Sequence, residues 1–282
     1  MKYHVLFPGL GLEFDISPIA FSIGNFSVYW YGIIIAVGFA LAVLYCMRIA
    51  KNHKVDPDKL SNCVIVGLIT AMIGARAYYV AFMWDHFKNA PLTVFNIHEG
   101  GLAIYGGLIG ALLGGLITAK VQKMKLLPVL DVAVMGFLIG QGIGRWGNFT
   151  NQEAFGTQTE LPWRMVSENT GMIGVHPCFL YESLWCLLGF VVFHFVFRKI
   201  RRYEGEIFYL YLVWYGFERT LVEGLRTDSL MLPFANIRVS QLLSCVIFVV
   251  GVMLLIFNAF THKRIKTDPY EEEDVVVVED GE

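Results

Sequence analysis

The chain has 282 residues, 56% of them hydrophobic and only 16% charged, against roughly 25% charged in an ordinary soluble domain. That deficit excludes a conventional cytosolic globule, and with it disordered, collagenous, coiled-coil and disulfide-scaffold proteins. Eight of the 24 acids fall between Asp268 and Glu282, which leaves 16 acids against 22 bases in the rest of the chain. The formal net charge is -2, so no global basic field points to nucleic acid.

The N-terminal stretch MKYHVLFPGLGLEFD lacks a charged region followed by an apolar core, so no cleavable signal peptide is expected. Seven segments then have the length of a membrane-spanning helix, about 20 apolar residues. Phe21–Met47, Gly100–Ala119 and Val239–Phe260 carry no charge. Leu60–Trp84 contains Arg76, Leu126–Trp146 contains Asp131 and Arg145, and Pro177–Phe197 contains Glu182. Ile207–Leu225 contains Glu218, Arg219 and Glu223. The expected fold is an all-α integral membrane protein with seven transmembrane helices, a spanning domain over 1–261 and a solvated, charged tail over 262–282.

Basic residues mark every second connection. Arg48, Lys51, Lys54 and Lys59 follow the first span, and Lys120, Lys123 and Lys125 the third. Arg198, Lys199, Arg201 and Arg202 follow the fifth, and Lys263, Arg264 and Lys266 the seventh. The positive-inside rule then places the N-terminus outside and the C-terminus in the cytoplasm. Gly106, Gly110 and Gly114, like Gly136, Gly140 and Gly144, repeat every four residues, as close helix packing requires. The five cysteines include no CxxC pair and read as small hydrophobes. The histidines show no ligand spacing, so neither a metal nor another cofactor is expected.

Arginine at membrane depth costs at least about 2.5 kcal/mol, so Arg76, Arg145, Arg219 and Arg226 should face partners or a wet cavity. Arg145 and Arg226, near the outer ends of their helices, could jointly grip one anionic head group through their donor forks. The bland alternatives are snorkelling, or pairing with Glu153 and Glu223. Around Arg145, an arginine, two amides and a carboxylate crowd the segment Gly144–Gly156 where a span ends. Packing does not need that density.

This segment resembles the signature GRxGNFxNxExxG of the bacterial prolipoprotein diacylglyceryl transferases, matching all eight fixed positions in thirteen. Tyr29-Trp30-Tyr31-Gly32 is similar to the family's WYG element, and Gly74-Ala75-Arg76 to its second-helix arginine. Glu99 through Gly107 resembles its GG-x-x-x-(His/Tyr)-GG element. His176-Pro177 with Leu180-Tyr181-Glu182 resembles HPxxLYE, and Arg219 to Arg226 resembles RxxVExxR. The resemblance runs along nearly the whole chain except the acidic tail.

It implies a multi-pass enzyme of the bacterial inner membrane. Such an enzyme moves the diacylglyceryl group of phosphatidylglycerol onto the lipobox cysteine of a preprolipoprotein signal peptide, giving a thioether and glycerol 1-phosphate. Arg145 and Arg226 would bind the phosphate. The resemblance puts the base at Tyr105; free tyrosine, with a pKa of about 10, would need a nearby arginine to act as phenolate, so Tyr105 could instead orient the thiol or head group. Tyr31, Arg76, Asn148, Asn151, Glu153, Gly156 and Glu223 complete the expected lipid-binding set. Glu182 and His176 are weaker candidates, expected as a hydrogen-bonded interfacial pair. The rival readings are a lipid or small-solute transporter, whose polar residues would be spread through the membrane depth, and a scaffold or receptor-like protein, which would not need the Arg-Asn-Asn-Glu group.

Overall fold

A computed structural model describes residues 2–24, 26–88, 91–96, 100–232 and 237–261. The expected tail over 262–282, with Lys263, Arg264 and Lys266, lies outside these residues, as do His98 and Glu99.

The first 29 residues correct the all-α expectation, because they form strands. β1 (Tyr3–Phe7), β2 (Leu12–Ile16), β3 (Ile19–Ile23) and β4 (Phe26–Tyr29) are short segments punctuated by Pro8-Gly9, Gly11, Pro18 and Gly24, which break any helix. β1 alternates, burying Val5 and Phe7, as a half-buried strand should. It pairs antiparallel with β2 and with β5 (Val166–Ser167), giving the order β2-β1-β5; β3 and β4 form a separate hairpin. The first helix therefore starts at Trp30, nine residues beyond the expected Phe21.

The helices are α1 (Trp30–Ala50), α2 (Pro57–Phe82), a short α3 (Trp84–Phe87), α4 (Ile104–Val121) and α5 (Leu126–Asn151). α6 (Cys178–Val192) runs through a π-helical stretch, Phe193–Phe197, into α7 (Arg198–Ile200), and α8 (Glu206–Leu225) and α9 (Val239–Thr261) follow. Asp56 caps α2 by accepting from Asp58 N at 2.9 Å, with Pro57 in the first turn, a favoured start. α4 begins at Ile104 because Gly100 (φ 86°) and Gly101 (φ 76°) hold the preceding chain out of helical geometry. Six helical stretches are long and apolar enough to cross a membrane: 30–53, 57–82, 104–121, 126–151, 178–200 and 239–261. The chain is thus a mostly helical, multi-pass membrane protein. α8 is long enough, but its charged residues set it apart from those six.

The described residues form two compact units, one within residues 47–130, the other within residues 1–46 and 131–261. In the first, α2 and α4 pack closely through glycine. A Cβ on Gly106 would strike the carbonyl oxygen of Gly74, and one on Gly110 that of Thr70. In the second, a Cβ on Gly38 of α1 would meet Ile143 of α5 at 3.2 Å. Ser183 of α6 donates to Gly142 O on α5 at 2.8 Å and accepts from Trp146 Nε1 at 3.0 Å. Trp185 and Trp214 stack with ring centroids 4.4 Å apart and each donates to the other's carbonyl, joining α6 to α8. Buried Asp131 of α5 accepts from Gly205 N at 2.7 Å and Phe208 N at 2.8 Å, capping α8 from a distant part of the chain. Val5, Phe7, Met165, Val175 and Phe179 form a small core that also touches Phe149 and Leu180, so the three-stranded sheet sits over the end of α5 and the start of α6.

Candidate active site

The motif Gly144–Gly156 occupies the last two turns of α5 and the chain after it, which turns through Gln152 (φ 52°) and Ala154 (φ 57°). Arg145 reaches α6, where its Nη2 lies 3.0 Å from Glu182 Oε1. Glu182 is 1% exposed and is shared by Arg219 of α8 through Nη1. Arg219 Nη2 also lies 2.5 Å from Glu223 Oε2, one turn along α8. A line of alternating charges, Arg145–Glu182–Arg219–Glu223, thus ties three helices together. Removing one member would leave a buried charge uncompensated, typically 3–5 kcal/mol.

This arrangement corrects one expected pairing and sets aside one alternative. Glu182 does not bond His176: His176 Nδ1 lies 3.2 Å from the Tyr181 hydroxyl, which accepts from Trp163 Nε1 at 2.8 Å. Adjacent helical residues point about 100° apart, so Tyr181 and Glu182 serve different neighbours. Burial lowers the His176 pKa below its ordinary value. Nor do Glu153 and Glu223 pair with Arg145 and Arg226. Glu153 accepts from Asn148 Nδ2 at 2.9 Å, and Glu223 holds Arg219.

Arg226 stands where α8 ends. Its Nε and Nη2 donate to the two oxygens of Asp228 at 2.9 and 2.7 Å, a bidentate fork. Hydrogen bonding from Arg226, then its charge, holds Asp228 below the usual carboxylate range, against a partial desolvation cost. Backbone pairing fixes the place: Gly156 and Arg226 form an isolated antiparallel bridge, and Thr157 N donates to Leu225 O at 2.8 Å. Gly156 also lies against His176 and Cys178, and a Cβ there would come 2.7 Å from His176 Cβ. Tyr31 lies over Gly147, where a Cβ would come 2.8 Å from its ring.

The four arginines differ in unused donor capacity. Arg76, in the other unit, donates all five N–H groups to backbone: Nε to Val94 O, Nη1 to Gly100 O and Gly101 O, Nη2 to Thr93 O and Asn96 O. Arg226 has two of its three nitrogens on Asp228. Arg219 divides its two Nη between carboxylates. Arg145, with a side chain 23% exposed, makes only the Nη2 contact among the described residues, which leaves Nε and Nη1 available. Tyr105 lies in the first turn of α4 and is 53% exposed. Asn151 makes no side-chain hydrogen bond among the described residues.

From the sequence Glu182 is a weaker candidate, Arg219 is only an arginine that needs partners or a wet cavity, and Asp228 is not singled out. The signal for the first two was present, as a lone carboxylate inside one apolar span and an Arg–Glu pair at i, i+4 inside another. Asp228 had no such signal, because it lies in a polar connection. Among the described residues no three His, Cys, Asp or Glu side chains converge as a metal site.

Residues 18–257 match the family described as prolipoprotein diacylglyceryl transferase. Similar curated proteins carry the name phosphatidylglycerol–prolipoprotein diacylglyceryl transferase. One from Finegoldia magna is 40% identical over 250 residues, covering 89% of this chain and 98% of the relative. One from Pediococcus pentosaceus is 41% identical over 256 residues (86% and 90%), and one from Staphylococcus aureus 39% over 271 (92% and 94%).

Proposed function

This chain belongs to the prolipoprotein diacylglyceryl transferase family, and on that footing we propose how its residues carry out the transfer from phosphatidylglycerol to a prolipoprotein. It is a transferase of lipoprotein maturation. In the reaction a lipobox cysteine sulfur bonds to the terminal glyceryl carbon of the lipid as the C–O bond to phosphate breaks. The thiol proton leaves, and glycerol 1-phosphate carries away the electron pair. The protein must hold an anionic phosphodiester and stabilise the charge gathering on its leaving oxygen.

The observation that carries this reading is the convergence of Arg145 and Arg219 on Glu182, with Arg145 Nε and Nη1 unengaged. Glu182 and Glu223 hold the two guanidiniums in fixed orientations. Arg145 supplies the fork to the phosphate and Arg219 the second positive charge beside it. Arg226, fixed by Asp228 and by the Gly156 bridge, offers its remaining nitrogen as the lipid enters. Asn148, Asn151, Glu153 and Tyr31 line the same end of α5 and α1 and serve hydroxyls and phosphate oxygens. Arg76 acts indirectly, by holding the carbonyls of Thr93, Val94, Asn96, Gly100 and Gly101, and Tyr105 accepts the thiol proton. The peptide substrate is a signal peptide with a lipobox cysteine.

α8 is the seventh span in this reading. Its charges face α5 and α6 rather than lipid, which reconciles its composition with membrane depth. The lysine and arginine asymmetry of the connections supports an outside N-terminus, a cytoplasmic C-terminus and a place in the bacterial cytoplasmic membrane.

The test is to incubate purified protein with phosphatidylglycerol and a lipobox peptide and to measure peptide mass. Addition of one diacylglyceryl group on cysteine is expected. Unmodified peptide, with solute movement across vesicles carrying the protein, would overturn the assignment in favour of a transporter.

A further inference from the structure

Glu218 precedes Arg219 on α8 and is 6% exposed. Its carboxyl makes no hydrogen bond and no ion pair among the described residues, and its Oε1 is fully enclosed. The charged groups it faces are Glu182 of α6, Arg145 of α5 and Arg219 of its own helix. Cys186 of α6 and Tyr211 and Tyr215 of α8 are also close enough to interact electrostatically with it. The nearby Tyr211 hydroxyl is engaged elsewhere, donating to Gln141 Oε1 at 3.0 Å.

A buried acid without a donor is costly, and an apolar side chain on this face of α8 would pack at no such cost. The carboxyl therefore fits a donor that arrives with a ligand. Its level supports the same site. Glu218 lies seven residues from the end of α8, about 10 Å, and Arg145 six residues from the end of α5, about 9 Å. A second enclosed acceptor, Glu182 Oε2, also lacks a hydrogen-bond partner.

We propose that Glu218 accepts hydrogen bonds from the free hydroxyls of the phosphatidylglycerol head group while Arg145 and Arg219 hold its phosphate, making Glu218 a specificity-determining residue. This rests on the transferase reading above. Phosphatidylglycerol joins an anionic phosphodiester to two hydroxyl donors, and the site joins two guanidiniums to an uncommitted acceptor. A phosphodiester ending in a plain alkyl group would satisfy the arginines and leave the carboxyl unpaired, the situation in which a polar site rejects an analogue most strongly.

The experiment compares transfer to a lipobox peptide from phosphatidylglycerol and from phosphatidylpropanol, which keeps the phosphodiester and lacks the hydroxyls. Wild-type protein should favour phosphatidylglycerol in kcat/KM by about 10- to 100-fold. In Glu218→Leu the preference should collapse to within about threefold, through a raised KM for phosphatidylglycerol, with phosphatidylpropanol turnover kept or improved. Glu218→Gln retains an acceptor oxygen and should restore part of the preference. Glu218→Met, a flexible apolar replacement, repeats the measurement if the leucine variant does not fold. An undiminished preference in either apolar variant overturns the assignment, as does a parallel fall in turnover of both lipids. If the wild type transfers from neither lipid, the transferase reading itself fails, an outcome distinct from transfer with an unchanged ratio.

Discussion

Arg76, Arg145, Arg219 and Arg226 are alike as letters and differ in what their N–H groups already touch. Arg76 is saturated by five carbonyls, so Arg76→Lys, with three donors and no planar fork, should lower stability by about 1–3 kcal/mol, read as an earlier thermal transition in detergent. Arg145 keeps unengaged donors beside a buried carboxylate. Arg145→Lys retains charge but loses the fork, and kcat in the peptide assay should fall by about 100-fold or more; unchanged turnover would remove Arg145 from the phosphate site. Tyr105→Phe should lower kcat by at least about 100-fold if the hydroxyl moves the thiol proton, and near-normal rates would leave it a positioning role. Asp228 titrates below the ordinary aspartate value because Arg226 stabilises its charged form. A depressed carboxyl stabilises the fold above its unfolded pKa of about 3.9 and loses that contribution as pH falls through the lower, folded value. The gap in thermal midpoint between wild type and Asp228→Asn should therefore be constant from about pH 5 to 8 and shrink below about pH 4.

At the scale of elements, small residues decide which helices meet. Gly74 and Gly106 bring the backbones of α2 and α4 together, as do Gly110 and Thr70, so that a Cβ at either glycine of α4 would strike a carbonyl. Apolar surface cannot drive this association in lipid, where close packing takes its place. Gly110→Val should destabilise the pair by about 1–3 kcal/mol, measurable as a lower thermal midpoint or earlier proteolysis between residues 88 and 103. The every-fourth glycine pattern made close packing by α4 legible in the sequence, but not that its partner is α2. The cap that Asp131 provides to α8 was not legible, because donor and acceptor are 74 and 77 residues apart. The strands at the N-terminus were hidden for another reason: Phe21 to Tyr29 is uncharged, like the start of the helix it joins, and composition over a 20-residue window does not separate a hairpin from a span.

For the whole molecule, the distribution of lysine and arginine is the strongest single determinant of orientation. A green fluorescent protein fused to the C-terminus should fluoresce, whereas alkaline phosphatase inserted at Ser229 should be active, because only the cytoplasmic side supports the first and only the exported side the second. The reverse pattern would overturn the topology, and with it the placing of Arg145 near the outer surface. Large side chains such as Leu44, Ile73, Leu108 and Met253 are each more than 60% exposed, a surface that lipid covers and water would not tolerate at this extent.

The sequence by itself determined the class of protein, the positions of most spans and the family, because hydropathy, charge bias and the thirteen-residue motif are local properties of the chain. It also singled out Arg145, since an arginine inside an apolar helix needs a reason wherever it folds. Only the tertiary structure decided which charges are partners. Glu182 meets Arg145 and Arg219 across 37 residues of sequence on either side, and Arg226 turns instead to Asp228. Ion pairing depends on distances of a few ångströms between separate helices, and no spacing along one chain encodes those distances until the helices have packed.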